Sequence, residues 1–364
     1  MQEALCGKGA FFIIGTTYGF LPEGRKGEKN MAKVKDILDA LNDLTGGRCV
    51  MGPGDWTKGT NPWVVPKSSG IPGKSIVETP GLVFGDPEGA VNKIAVCMTL
   101  TESVIELAAA TGVQAIVAHH PIADAANSGG VLMKYYLGNY GLAAFELHEA
   151  FHGTHPGIPW LHGHKPFFSS VCYAGIPGNV VYVGDILPEI DTAGELISRL
   201  DRLMNAETDR HMLDVERREL GVDSIEETSV AAGAKILVGS AENKVRKVIH
   251  MFPHTGFSPE HLRQLKADYP DADTLIASIS RVYPGHPLIE AAEELGMTFI
   301  CGNSHALEIF ENGIPLARAL KAHLPECDIV IFRERQTSTP LEAFGSEEIR
   351  NYGSRIASGY LHSK

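Results

Sequence analysis

Two stretches of this chain repeat one layout, and that layout leaves few architectures open. In the first, Asn92 to Leu100 (NKIAVCMTL) is apolar, β-branched and too short for a helix, so it reads as a strand. Thr99 and Glu102 stand three residues apart, the pattern in which a hydroxyl and a carboxylate satisfy two free amides at a helix start. The helix runs through Val104, Ile105, Leu107 and Ala108 to Gly112, and Val113 to Ala118 is the next strand. Strand, helix and strand at this spacing make the crossover that parallel strands require. In the second stretch, Thr274 to Ile279 is a strand, Pro287 to Leu295 a helix stopped by Gly296, and Met297 to Cys301 a strand. The expected fold is α/β, with two similar lobes, each holding strand-helix-strand units.

Both units end on groups that bind metals. His119 and His120 follow the strand at 113–118, and Pro121 stops it. Open α/β sheets place their ligand sites at the carboxyl ends of strands. Neighbouring side chains in a regular strand point to opposite faces, but at a frayed end before proline both rings can turn into one pocket. Neutral imidazole is a good ligand for zinc, iron, nickel or copper. In the second unit, Gly302 to Glu308 (GNSHALE) follows the strand. If a helix begins at Ser304 or His305, His305 and Glu308 share one face and form a chelating pair. A further strand, Leu142 to Leu147, ends on His148, with His152 four residues on. The plainer reading of each histidine is an exposed residue at a loop start. For His155, His162 and His164, in a loop from Gly153 to Pro166, a solvated loop is the expectation.

At 364 residues the chain can bury a large core. The expected organisation is an N-terminal extension at 1–30, a first lobe at 31–229, a second at 230–335 and a C-terminal tail at 336–364, with Met31 an alternative natural start. Val34, Ile37, Leu38, Leu41 and Leu44 form a helical stripe. Residues 51–77 are a Pro/Gly-rich loop with Trp56 and Trp63, Val180 to Ile186 is a strand, Thr192 and Glu195 open a helix, and 205–228 read as a surface helix or linker. A net charge of −12 argues against a nucleic-acid or anionic membrane partner. The six cysteines are scattered without a C-x-x-C, which suggests a reducing compartment and no disulfide framework. No run approaches a membrane span, and the apolar cluster AFFIIG near the start lacks a good cleavage site. The expected location is the cytoplasm.

From about 34 to 335 the chain resembles the NIF-three-like proteins, a family with a dinuclear metal centre and a hexameric assembly, often labelled GTP cyclohydrolase type 2 homologues. VKDILDALNDL resembles the family's opening helix, TPGLVFG its N-V-G-L-x-x-G segment, and IVAHHP its I-x-x-H-H-P motif. GNVVYVGDI resembles the end of its first half, and NSHALE occupies the place of its Gly-His-x-x-x-Glu. The resemblance implies a site of two metals between the lobes, with His119, His120 and Glu308 as ligands and a ring-shaped homohexamer. Two positions depart from the pattern. His152 stands where the family's His-x-x-x-Asp carries a metal-bridging Asp, and Ser304 stands where its last histidine lies, with His305 one residue on. A bridging carboxylate holds two cations together with charge that imidazole lacks, so the change favours one metal or a softer one.

The candidate metal residues are therefore His119, His120, His152, His305 and Glu308, for one or two divalent ions among zinc, iron, nickel and manganese. The reaction this implies is metal-assisted hydrolysis of a small molecule, with Glu149 or an outer histidine as base. The alternatives are a metal-delivery protein without turnover or a regulatory scaffold with a structural metal. No P-loop, dinucleotide fingerprint or G-x-S-x-G is present.

Overall fold

The structure, a computed structural model, describes residues 31–52, 54–55, 61–68, 75–122, 133–253, 256–278 and 282–361. The N-terminal extension, Trp56 and Ile279 lie outside the described residues. In chain order the strands of the two main sheets are β1 (Gly81–Phe84), β2 (Lys93–Cys97), β3 (Ala115–Ala118), β4 (Ala143–Glu146), β5 (His164–Ser170), β6 (Val180–Ile186), β7 (Lys235–Val238), β8 (Lys247–Phe252), β9 (Thr274–Ala277), β10 (Thr298–Cys301) and β11 (Asp328–Ile331). With the helices between them they make a mixed α/β fold.

The first sheet runs β11-β2-β3-β4-β1, parallel except for the last pair. Its central strands are apolar on both faces because helices cover both. Ile94, Val96, Val117 and Phe145 face one side and pack with Ile37 and Leu41 of the helix Val34–Leu44 and with Leu316 and Leu320 of the helix Ile314–His323. Ala95, Cys97, Ile116 and Ala118 alternate with them and pack under Ile105 and Ala108 of the helix Glu102–Ala110. This is the two-residue period of a strand, each face meeting its own helical layer.

The second sheet runs β7-β10-β9-β8-β6-β5, with β8, β9 and β10 parallel and the other pairs antiparallel. Ile249, Met251, Leu275 and Phe299 pack under the helices Pro259–Asp268 and Pro287–Glu294. Val248, Ile276 and Ile300 pack under Leu196 and Leu200 of Ala193–Leu203. Strands on both sides of residue 230 share this sheet, and β11 crosses back to the first. The two strand-helix-strand units of the sequence are thus the parallel cores of the two sheets. No described helix is long and apolar enough to cross a membrane.

Several local expectations change. The hydroxyl at the start of the first crossover helix is that of Thr101, which accepts from Val104 N at 3.2 Å; Thr99 belongs to the preceding turn and meets His120. Thr101→Ala should therefore lower stability by about 1 kcal/mol, read as a shift in urea midpoint, and Thr99→Ala should leave the helix intact. The Thr192 and Glu195 box forms as expected. Residues 206–220 are a helix. The loop expected from Gly153 to Pro166 is instead a short helix, Gly157–Leu161, and the start of β5. His162 and His164 are fully buried there, not solvated. Trp63 is buried under the Arg48 guanidinium, 4.3 Å from its ring centre. Cys49, Cys97, Cys301 and Cys327 are buried thiols and Cys172 is disulfide-bonded, a single bridge where the sequence suggested no disulfide framework.

Candidate metal centre

The carboxyl ends of β3 and β4 and the segment after β10 bring six side chains together. The β3 ladder continues through the histidine pair: His119 N donates to Cys97 O at 3.0 Å and His120 N to Met98 O at 2.8 Å. The strand then ends, and the two rings lie with centroids 5.5 Å apart. His148 and His152 come from the turns that follow β4. Glu146, the last residue of β4, ties this end together by accepting from Thr79 N and from Ile122 N.

The segment after β10 does not start a regular α-helix. His305–Leu307 is a single 3-10 turn, Ile309–Gly313 a wide π turn, and the α-helix begins at Ile314. Wide turns of this kind cluster at functional sites because they re-aim side chains. Here they send Glu308 inward. Its Oε1 lies 2.8 Å from His119 Nε2 and its Oε2 3.0 Å from His120 Nε2. His305 reaches the same place from outside, its ring centroid 4.9 Å from that of His120. The one-residue shift from the family pattern still delivers this ring to the cluster.

Ligand atoms within 4.8 Å of one another form overlapping groups: His119 with His152 and Glu308, His120 with His305 and Glu308, His119 with His120 and His148, and His148 with Glu149 and His152. All five residues expected from sequence are present, and His148 joins them. His148 was visible as the histidine that ends a strand and opens the His-x-x-x-Asp place, but it was not among the expected ligands.

Each ring is held from behind. His119 Nδ1 donates to Leu147 O at 2.8 Å, and His152 Nδ1 donates to Glu149 Oε2 at 3.1 Å. His148 Nδ1 faces Glu78 Oε2 at 3.3 Å, and His120 Nδ1 lies 3.2 Å from Thr99 Oγ1. Glu78 Oε1 also accepts from Glu149 N at 2.6 Å. Partners of this kind orient the ring and fix its tautomer. Glu149 Oε2 thereby orients His152, and the same carboxylate stands in one of the groups of clustered ligand atoms. Glu78 and Asn312 carried no signal in the sequence, and Thr99 was read there as a helix start. Asn312 Nδ2 donates to Glu308 Oε1 at 2.9 Å and lies 3.3 Å from His119 Nε2.

His119, His152 and Glu308 are buried, His120 and His148 partly so, and His305 is exposed, so the cluster opens on the side of His120, His148 and His305. Burial pushes the His119 ring below its usual pKa, against the pull of Glu308. Burial also opposes the charge of Glu308, but His119 and His120 outweigh it and hold the carboxyl well below its ordinary range.

Residues 74–126 match the family model of Duf34/NIF3 (NGG1p interacting factor 3). Reduced HcgD from Methanocaldococcus jannaschii is similar in structure, with a TM-score of 0.50 at 17% identity over 83% of this chain and 98% of that one. A Bacillus cereus protein related to NIF3 matches with a TM-score of 0.50 at 12% identity, over 84% of this chain and 98% of that one. No curated protein matches the sequence. The family match falls on the segment that carries His119 and His120, and the fold of these two structures is shared along most of the chain, so the chain carries a Duf34/NIF3 segment within a fold similar to theirs.

Proposed function

We propose that this is a divalent-metal protein whose six-residue cluster holds two ions. The carrying observation is a set of facing acceptors, with only the Asn312 amide donating among them. The Nδ1 protons of His119 and His152 go to Leu147 and Glu149, which leaves a lone pair on each Nε2. Those two atoms are 3.3 Å apart, and Glu308 Oε1 is 2.8 Å from the first. A shared cation turns this repulsion into ligation.

Glu308 divides its oxygens between two positions, Oε1 with His119 and His152, and Oε2 with His120 and His305. It is the bridging carboxylate in this reading. The charge that an Asp at 152 would have supplied comes instead from Glu149 and Glu78, through the rings of His152 and His148. Replacing either carboxylate by Gln should weaken metal binding about tenfold or more, as the loss of such outer partners does. Competition against a chromophoric chelator reads this directly.

Bound divalent ions supply a more acidic water and polarise a carbonyl or phosphoryl oxygen. The exposed His305 and the partly buried His120 and His148 form the mouth at which a small substrate is admitted, and the buried side excludes solvent. The catalytic reading is hydrolysis of a small molecule. Metal delivery without turnover is the second reading, favoured by the exposure of His305, which lets one ligand release while the others hold. We extend the proposal to the homohexameric ring that the resemblance implies, which light scattering tests. Location in the cytoplasm rests on the buried thiols, against the Cys172 disulfide, and fractionation decides it.

The test is metal content on protein without a histidine tag, for wild type and for His119→Ala with His120→Ala. About two equivalents, reduced by at least one in the variant, supports the centre and warrants a hydrolase screen. No turnover with exchangeable metal selects delivery. No metal after reconstitution overturns the proposal.

A further inference from the structure

A second group of buried polar side chains lies outside this cluster. His162, His164 and His250 are fully inaccessible, with ring centroids 4.7 Å apart for His162 and His250 and 5.2 Å for His164 and His250. Two of these rings bond to each other, although His164 Nδ1 has no partner among the described residues. His164 Nε2 is 3.0 Å from His250 Nδ1, and His250 Nε2 is 2.6 Å from Ser278 Oγ. His162 is different. Its Nδ1 donates to Ile158 O at 2.9 Å, which leaves the lone pair of Nε2 looking inward.

That Nε2 has no hydrogen-bond partner among the described residues, and neither has Glu311 Oε2. His162 Nε2 and Glu311 Oε1 are 3.7 Å apart, both fully buried. This is too long for a hydrogen bond. It is close to the span of two ligand atoms on one ion, since bonds of about 2.1 Å opening by roughly 110–120° place their ends about 3.4–3.6 Å apart. Asn303 Nδ2 donates to Glu311 Oε1 at 3.0 Å and fixes the carboxyl. Gly302 keeps the space clear: a Cβ there would lie 2.6 Å from His162 Nε2. Buried polar atoms left without partners across such a gap are costly unless something fills the space between them.

We propose that His162 and Glu311 form a separate cation site for a single divalent ion of the zinc type, the imidazole binding through Nε2 and the carboxylate through both oxygens. The glutamate comes from the same π turn that follows Glu308, so one irregular segment serves both places. Burial raises the Glu311 carboxyl to about 8, opposed by the Asn303 bond and added to by Glu308. Burial lowers His162 to about 4, so its ring is neutral and ready as a ligand. A cation would draw the proton from the carboxyl. His164 and His250 have spent their facing nitrogens on each other and on Ser278, and they wall the site without joining it.

The experiment is zinc content by mass spectrometry after reconstitution and desalting, with His119→Ala and His120→Ala as the background. That background removes ligands of the larger centre and leaves this pair intact. Adding Glu311→Gln, and separately His162→Ala, should lower the zinc bound in the background by about one equivalent. Crystals of the zinc-loaded wild-type chain should show an anomalous peak between His162 and Glu311. The crystal measurement needs no variant to fold. Equal zinc with and without Glu311→Gln, or no anomalous peak between the two residues, overturns the site and shows that water fills the gap. Either result leaves the larger centre standing or falling on its own metal count.

Discussion

Glu308→Gln is expected to strip the proposed centre of both ions while leaving the fold intact. Gln matches Glu in shape, and it keeps an oxygen to accept from Asn312 Nδ2. Its new amide takes the place of the oxygen now 3.0 Å from His120 Nε2 and donates to that nitrogen when the ring is protonated on Nδ1. The apo form thus loses no hydrogen bond. What disappears is the one negative charge shared by both metal positions. Metal at the centre should fall from about two equivalents to near zero after desalting, with the melting temperature of the chelator-treated variant within a few degrees of the chelator-treated wild type. A variant that keeps two equivalents sinks the bridging role of Glu308. A variant that melts far lower as apo protein shows that Glu308 acts mainly as a structural group.

The second large effect lies in the packing. Phe145 is fully buried on β4, in the layer that also holds Ile37, Leu41 and Val117. It sits one residue before Glu146, which accepts from Thr79 and Ile122, and two before Leu147, whose carbonyl orients His119. Phe145→Ala should lower stability by about 3–5 kcal/mol, the transfer cost plus the cavity left behind. Denaturant melts of the chelated protein measure it. Because the same strand end positions the cluster, metal affinity should fall with stability. Phe145→Leu, which keeps most of the volume, should recover most of both. A loss below about 1 kcal/mol for the alanine variant would mean that this layer packs loosely.

Much of the scaffold was legible because parallel strands buried on both faces leave long apolar runs that stand out from helical periods. Lys93–Cys97, Ala115–Ala118 and Thr298–Cys301 were read within a few residues of their ends. The same logic placed His119, His120 and His305 at strand carboxyl ends, where α/β sheets collect their ligands. The groups behind them were not legible. Glu78 and His148 are 70 residues apart, and Asn312 and His119 are 193 apart. No local period or spacing records a contact that only sheet order creates. The His152 substitution looked like a lost charge in the sequence, and only the structure shows Glu149 and Glu78 standing behind the rings.

The histidines of the 153–166 stretch show the same division. The sequence by itself determined that they were polar, close together and near a candidate site. Whether they faced water was decided by pairing: β5 docks antiparallel on β6, and His164 and His162 are carried into the interior beside His250. Histidine fits either place, because its ring is apolar enough to bury and polar enough to solvate. Its environment is therefore set by the strand it is attached to, and that strand's partner lies in the tertiary structure.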